Sequence, residues 1–284
     1  MTRLNSIVGV LESGGTAFAT FAQADPESAQ WLADSSYDGV VFEMEHRPWD
    51  AGRLRDALQY MLSRRQIAAA ASIAARVTPI VRVPANGGEM NQWLAKQALD
   101  SGVYGVVWPH VATAEQAYNA VSACRYPRRR TAPLYEPAGK RGDWPPAAAR
   151  YWGVDLQEYY RKADVWPLAP EGEILVVLMI EDLAGVANLD EMLMRVPGIG
   201  AILIGEGDLS QEIGHPRDYR HPDVVAAVAE IVRICNAHRV PVGHPHVNAG
   251  NVQAVLAQGY RLLLAAPVRS FAALEAGRAL AGRT

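Results

Sequence analysis

Short apolar runs that alternate with helical patterns constrain the fold of this chain more than any other feature. The runs are rich in β-branched residues, and each is followed by a stretch with helical periodicity. About eight such pairs occur, an alternation that is the signature of a parallel (β/α)8 TIM barrel. The predicted strands are 17–21, 39–42, 79–83, 105–108, 176–180, 201–204, 240–242 and 262–265. A chain of 284 residues could also form two small domains, but no linker or repeat divides it, so we expect one α/β domain over residues 1–284.

Helices are predicted at 25–33, 50–65, 89–99, 113–124, 222–238, 248–258 and 270–280. Two segments depart from this rhythm. Residues up to about 13 predict a short N-terminal helical arm, and the interval from about 127 to 172 lacks a strong period but is rich in tryptophan, tyrosine and arginine. An interval this long inside a compact domain is usually a functional excursion or a contact surface. We interpret its arginine run, 128–130, as a solvated or subunit-facing patch.

Composition and charge narrow the class of partner. The chain is 50% hydrophobic and 20% charged, as ordinary globular proteins are, and its formal net charge is −3. It therefore has no basic footprint for nucleic acid or for an anionic membrane, and a small-molecule partner is expected. Cys124 and Cys235 are too far apart in sequence for a metal-binding motif and are expected to be buried thiols in a reducing compartment. With no leader pattern or membrane-spanning run in the sequence, we expect a cytoplasmic protein.

Acidic residues stand where two of the predicted strands end. Glu181 follows strand 176–180, and Asp208 follows strand 201–204 after a Gly-Glu-Gly turn. The carboxyl ends of parallel strands share one face of a barrel, so these two carboxylates should lie close together. Gathered carboxylates repel one another and resist desolvation, which a divalent cation that prefers oxygen ligands, such as Mg²⁺ or Mn²⁺, relieves. The sequence therefore predicts a metal site at this face.

Other strand ends carry further candidate residues. Arg82 lies inside an apolar run, where a guanidinium needs a negative partner: either a bound anion or a structural ion pair with a nearby acid. His46 follows two acids, Glu43 and Glu45, and a neighbouring carboxylate would suit it as a general base or as a relay to water. His110 and His244 also fall at predicted strand ends.

His244 and His246 flank a proline, a spacing that invites a zinc interpretation. The sequence places no third nitrogen or sulfur ligand beside them, so we favour substrate-lining or structural roles. The sequence contains no complete dinucleotide fingerprint, phosphate loop or G-x-S-x-G nucleophile elbow, and nothing in it indicates a covalent serine or cysteine mechanism.

Four stretches in order give the chain a family resemblance: Glu43-Met-Glu-His46, Pro79-Ile-Val-Arg-Val83, Met179-Ile-Glu-Asp182 and Gly205-Glu-Gly-Asp-Leu-Ser210. With supporting stretches at 98–103, 124–127 and 139–142, the chain resembles the HpcH/HpaI aldolases, metal-dependent class II pyruvate aldolases of the phosphoenolpyruvate/pyruvate barrel superfamily. The resemblance spans about residues 15 to 275.

This resemblance implies a set of roles. Glu181 and Asp208 would bind Mg²⁺, Mn²⁺ or Co²⁺, Arg82 would contact the pyruvate oxygen that becomes the enolate, and His46 would assist proton transfer through water. The family often has aspartate and glycine where this chain has Glu43 and Met44, so the carboxylate expected to pair with His46 reaches further here. A homo-oligomer, typically a hexamer, is implied, with the helix from Ser270 packing on a neighbouring subunit.

The predicted function is a carbon–carbon lyase that cleaves a 4-hydroxy-2-oxo acid to pyruvate and an aldehyde, or runs the reverse addition, through a metal-bound pyruvate enolate. Two alternatives stay open. One is a superfamily relative that acts on another enolate, as a decarboxylase or a lyase of CoA thioesters, for which residues 128–130 with Lys140 and Arg141 are the only candidate basic groove. The other is a binding protein without turnover.

Overall fold

The computed structural model describes residues 3–70, 72–265 and 271–283. In these ranges nine strands form one parallel sheet: β1 (Ala17–Ala22), β2 (Gly39–Glu43), β3 (Thr78–Arg82), β4 (Gly105–Trp108), β5 (Val165–Trp166), β6 (Ile174–Ile180), β7 (Ala201–Ile204), β8 (Val242–Val247) and β9 (Leu262–Ala265). Strand β4 pairs with β6 and β9 with β1, so eight of the strands close into a barrel. The two-residue strand β5 only adds to the beginning of β6. The predicted parallel barrel is confirmed.

The helices of the described ranges are α1 (Ser6–Glu12), α2 (Pro26–Ala33), α3 (Ala51–Tyr60), α4 (Arg64–Ala69), α5 (Gln92–Ser101), α6 (Ala114–Ala123), α7 (Pro146–Trp152), α8 (Leu156–Lys162), α9 (Leu183–Arg195), α10 (Glu206–Glu212), α11 (Pro222–His238), α12 (Val252–Ala257) and α13 (Ala272–Leu280). Side chains that favour helix starts cap several of them, among them Asp25, Asp50 and Thr113, which accept backbone N–H groups of the first turn. Among the described helices, none has the length and apolar character needed to cross a membrane.

The core has two layers because side chains of a strand alternate between its faces. In β6, every residue of which is buried, Leu175, Val177 and Met179 belong to the cluster that fills the barrel. Their neighbours Val176 and Leu178 belong to the larger cluster between the strands and the surrounding helices. This alternation decides which residues beyond the strand ends point toward the barrel axis.

Helix α1 packs into the barrel and is not a free arm. Ile7, Val8 and Leu11 are buried in the same cluster as the barrel interior. Asn5 caps the helix and donates hydrogen bonds to the carbonyl oxygens of Tyr104 and Glu173, at the starts of β4 and β6. The helix thus covers the end of the barrel opposite the carboxyl ends of the strands. The predicted N-terminal helix is confirmed, and it packs on the barrel because three apolar residues on one face need burial.

Two buried arginines fasten the 127–172 interval to the barrel. Arg125 Nε donates to Asp164 Oδ1 at 2.7 Å, and its other nitrogens bond carbonyl oxygens of the interval. Arg141 Nη2 donates to Asp100 Oδ1 at 2.9 Å and to the Tyr159 hydroxyl at 2.8 Å. Arg128 also contacts Asp164, so this part of the arginine run is a structural ion pair.

Aromatic side chains complete this attachment. Trp152 in α7 stacks on Tyr104 with ring centroids 4.4 Å apart and donates its indole N–H to the carbonyl oxygen of Gly102 at 2.9 Å. The interval therefore forms two helices, α7 and α8, that pack on the flank of the barrel beside α5.

Several predicted boundaries were wrong. The helix expected at 50–65 is divided, because α3 ends at Tyr60 and Ser63 begins a second helix as its N-cap. The strand expected at 240–242 lies further along, at β8. The last helix begins at Ala272, whereas the predicted start, Ser270, lies outside the described residues. This helix packs on its own barrel, where a Cβ at Gly277 would lie 2.5 Å from Phe18, and its contact with a neighbouring subunit stays a prediction.

Candidate active site

Three candidate side chains lie at the same end of the barrel because the strand alternation points them to the barrel axis. Glu43 ends β2 and lies in register with Arg82, which ends β3. Glu181 follows β6 directly and continues the inward set of Leu175, Val177 and Met179. The structure thus brings together three residues that the sequence singled out.

Arg82 is held by two carboxylates. Its Nε donates to Glu43 Oε2 at 2.8 Å, and Nη2 contacts the same oxygen. Nη1 lies 2.9 Å from Glu45 Oε2, and the guanidinium stands over the Phe21 ring, 4.9 Å from its centroid. The ion pair considered from the sequence is present, and it fixes the direction in which the guanidinium faces.

Glu45 is the residue that sequence reasoning missed. It is mostly buried, and Oε1 lies 4.0 Å from His110 Nε2. Although Oε2 is close to Arg82, its geometry makes no hydrogen bond, which leaves a buried carboxylate oxygen without a hydrogen-bond partner. Burial raises the pKa of this group. Its position two residues after Glu43, on the same inward alternation, was the signal that could have found it.

Glu181 is the most buried acid of the site, with 2% of its surface exposed. Oε1 accepts the backbone N–H of His110 at 2.7 Å, and the His110 imidazole lies 3.8 Å from the same oxygen. Burial raises the pKa of Glu181 to about 7, with further contributions from the charges of Glu45 and Asp208. The carboxylate is thus costly to keep charged unless a cation faces it.

His46 differs from expectation in its partner. Glu43 Oε1 accepts the backbone N–H of Glu45 at 2.8 Å and of His46 at 3.1 Å, so Glu43 holds the loop and not the imidazole. The imidazole Nε2 lies 3.6 Å from Glu45 Oε2, and the side chain is 67% exposed. The predicted pairing of Glu43 with the His46 ring was wrong because Arg82 takes the other oxygen of Glu43.

Asp208 stands in the first turn of α10, exposed at the rim. Its charge acts on Glu181, and the turn that carries it packs directly on that acid, since a Cβ at Gly205 would lie 2.2 Å from Glu181 Oε2. Only glycine fits this contact. The charge of Asp208 thus reaches Glu181, but Asp208 is not among the described residues whose ligand atoms lie within 4.8 Å of those of Glu181, which are Glu45 and His110.

The donor set fits a divalent cation that prefers oxygen. Ligand atoms of Glu45, His110 and Glu181 all lie within 4.8 Å of one another. Glu45 Oε2 is paired with Arg82, so the raised pKa of the buried Glu181 is the feature that favours a bound cation here.

A second polar group lies at the ends of β7 and β8. His246 Nδ1 lies 2.9 Å from Glu206 Oε2, and His244 Nε2 lies 3.8 Å from Glu206 Oε1. His244 packs edge-on against Tyr260, and the His246 ring stacks on Tyr219. Burial alone would raise the pKa of Glu206, but the two histidines lower it below its ordinary value, so this carboxylate is charged. Glu206 was not singled out from the sequence, which identified only the histidines.

Comparisons with known proteins agree with this picture. The model of the family described as HpcH/HpaI aldolase/citrate lyase matches residues 19–266. A hydroxypyruvate/pyruvate aldolase of Roseobacter denitrificans is 28% identical over 264 residues, which cover 93% of this chain and 91% of the relative. A 2-dehydro-3,6-dideoxy-6-sulfogluconate aldolase of Pseudomonas putida is 33% identical, covering 84% of this chain and 80% of its own.

Among solved structures, an HpcH/HpaI aldolase/citrate lyase family protein from Burkholderia cenocepacia superposes with a TM-score of 0.76. It is 27% identical and covers 92% of both chains.

Proposed function

Because the chain belongs to the HpcH/HpaI aldolase/citrate lyase family and is a carbon–carbon lyase, we propose that it cleaves a 4-hydroxy-2-oxo acid to pyruvate and an aldehyde, or catalyses the reverse addition. One observation carries the proposal: a guanidinium fixed by two carboxylates, Arg82 with Glu43 and Glu45, faces the same end of the barrel as the buried acid Glu181. This arrangement suits a reaction in which negative charge develops on a substrate oxygen.

We propose that Glu181 and Asp208 hold a divalent ion, Mg²⁺, Mn²⁺ or Co²⁺, with Glu45 close by to balance its charge. When bound, such an ion would supply a Lewis acid for the keto group of the substrate.

Arg82 supplies positive charge and N–H donors for the oxygen that becomes the enolate oxygen of pyruvate. Glu43 and Glu45 hold its guanidinium before substrate arrives, and donors fixed in advance lower the cost of reorganisation as charge develops. His46, largely exposed and 3.6 Å from Glu45, would exchange protons with the substrate through water.

The candidate groove of the CoA-thioester alternative is reduced in the structure. Arg141 is fully buried against Asp100 and Tyr159, and Arg128 is paired with Asp164. Arg129, Arg130 and Lys140 stay exposed, so three of its five members can still meet a phosphate of CoA.

We further propose that the protein is a homo-oligomer, hexameric by its resemblance, and that it works in the cytoplasm, where its two free, buried cysteines would stay reduced. Light scattering coupled to size exclusion measures the assembly directly.

The test of the metal assignment is Asp208→Ala. We expect loss of metal-dependent pyruvate release from a 4-hydroxy-2-oxo acid, followed with a lactate dehydrogenase couple, at an unchanged melting temperature. Glu115→Ala is the matched control, because Glu115 is also an exposed acid in the first turn of a helix, α6. Activity retained in Asp208→Ala would refute the assignment.

A further inference from the structure

His110, which follows β4, has no role in the chemistry proposed above. Its backbone is left-handed, with a φ of 49°, a conformation that is uncommon outside glycine and costs free energy. Backbone hydrogen bonds hold the turn on both sides of it. Gly87 donates its N–H to the carbonyl oxygen of Pro109 at 3.0 Å, and the N–H of Val111 bonds the carbonyl oxygen that ends the side chain set of β6 at Met179, at 3.2 Å. The fold therefore fixes His110 in a costly conformation.

The left-handed turn directs both the backbone and the ring of His110 toward one carboxylate. The backbone N–H donates to Glu181 Oε1 at 2.7 Å, and ring Nδ1 lies 3.8 Å from the same oxygen. The other ring nitrogen, Nε2, lies 4.0 Å from Glu45 Oε1. Both ring distances are longer than a hydrogen bond. The imidazole thus stands between two mostly buried acids, near both and too far to bond either oxygen directly.

These distances suit an ion shared between the imidazole and Glu181. A divalent cation with bonds of about 2.1 Å to two ligand atoms holds those atoms roughly 3–4 Å apart. The 3.8 Å between His110 Nδ1 and Glu181 Oε1 lies in this range. The side chain of His110 is 30% exposed, so an ion can reach it from solvent.

Glu45 lies where a histidine ligand needs a second partner. A histidine that binds a metal through one ring nitrogen usually donates the N–H of the other to a carboxylate, which fixes the tautomer and the direction of the ring. Glu45 Oε1 faces Nε2 of His110, the nitrogen that does not face Glu181. The ligand atoms of all three residues lie within 4.8 Å of one another.

We propose, resting on the metal-dependent function above, that His110 is a nitrogen ligand of the ion held by Glu181. His110 binds through Nδ1, and Glu45 accepts the N–H of Nε2. Carboxylate sites suit Mg²⁺, whereas an imidazole ligand favours later first-row ions such as Co²⁺. His110 therefore sets a preference of this site for a transition-metal ion over Mg²⁺.

The test is the ratio of Co²⁺ to Mg²⁺ affinity, measured by calorimetric titration of metal-free wild-type protein and His110→Asn. Asparagine tolerates the left-handed backbone and offers a carbonyl oxygen in place of the ring nitrogen. Mg²⁺ affinity should therefore change by less than about threefold, whereas Co²⁺ affinity should fall by roughly 10–100-fold. Pulsed EPR of the Mn²⁺-loaded protein, at equimolar metal, should show coupling to a directly bound nitrogen that disappears in His110→Asn.

His221→Asn is the matched control. In the described part of the chain, His215, His221 and Asp223 form a second group whose ligand atoms lie within 4.8 Å of one another, at the start of α11. Co²⁺ bound there would lose affinity in His221→Asn and keep it in His110→Asn. We expect the reverse, with the nitrogen coupling and the affinity ratio unchanged in His221→Asn.

Three results would overturn the ligand role of His110. They are an unchanged affinity ratio in His110→Asn, the absence of nitrogen coupling in the wild-type protein, and loss of that coupling in His221→Asn. An equal loss of affinity for both ions would also overturn it, because the side chain would then only position Glu181. These measurements need no turnover. The proposed function fails separately, if protein that binds metal releases no pyruvate from any 4-hydroxy-2-oxo acid.

Discussion

Replacing Arg82 with methionine begins a test that separates the contribution of Arg82 to stability from its contribution to turnover. The guanidinium is mostly buried between Glu43 and Glu45, which are themselves mostly buried. Removing one partner of a buried ion pair costs roughly 3–5 kcal/mol, since it leaves charge without compensation. At about 2–4 °C per kcal/mol for a chain of this size class, the melting temperature should fall by on the order of 10 °C.

A second variant, Arg82→Met with Glu43→Gln, removes both sides of the stronger pair. Replacing a whole buried pair by neutral side chains is often close to neutral for stability. The remaining acid, Glu45, can take up a proton because burial already raises its pKa. Most of the lost melting temperature should therefore return.

Turnover should not return with stability. Loss of one fixed donor at a developing oxyanion typically lowers kcat by about 10²–10³, and no other residue of the double variant replaces the guanidinium. The assays are calorimetric melting and pyruvate release. Arg125→Met is the control, because Arg125 is a buried arginine paired with Asp164 away from the site, and it should lose stability while keeping turnover below its melting temperature. Near wild-type turnover in the double variant would refute the catalytic role of Arg82.

The remaining predictions concern three features of the structure. Gly205→Ala should lower the free energy of unfolding by about 1–3 kcal/mol, because the added Cβ overpacks this contact. The same Cβ would displace the Glu181 carboxylate, so Mn²⁺ binding, measured by calorimetric titration, should weaken. An unchanged Mn²⁺ affinity would contradict the contact. In EDTA the folded-state pKa of Glu181, about 7, exceeds its ordinary value of 4.5, so its contribution to stability is fully present below pH 4.5 and is lost as pH rises toward 7. Melting temperatures in EDTA should show this loss between about pH 4.5 and 7, and Glu181→Gln should reduce it; equal slopes in the two proteins would disprove the shift. Burial raises the pKa of the thiols of Cys124 and Cys235 to about 12, so neither should react with Ellman's reagent until the protein unfolds.

Much of the fold could be predicted from sequence because most strands of the barrel are buried on both faces. Such strands are short apolar runs, and in three of them a charged residue marks the carboxyl end: Glu43, Arg82 and Glu181. Strand β8 does not follow this pattern, and its predicted bounds were wrong. Its polar residues His244 and His246 are compensated by Glu206, a partner on another element, and Pro245 interrupts the ladder, where the register shifts.

The sequence predicted individual residues of the site, but it did not predict which side chains contact one another. The strand ends of Glu43, Arg82 and Glu181 followed from the apolar runs. Which acid would meet Arg82 or His46 depended on the path of the loop after β2, and this path brings Glu45 back toward the axis. Loop geometry of this kind depends on the long-range pairing of Glu43 with Arg82, which leaves Glu43 Oε1 to accept the backbone N–H groups of Glu45 and His46.

The most direct test of the central claim is deuterium exchange at the pyruvate methyl group, followed by NMR in D₂O with Mg²⁺, Mn²⁺ or Co²⁺ added in turn and EDTA as the control. Enolate chemistry at the Arg82 and Glu181 site predicts exchange that requires the metal and disappears in EDTA. Absence of exchange with every metal, in protein shown to bind one, would contradict the account and return weight to a CoA-thioester lyase or a binding protein.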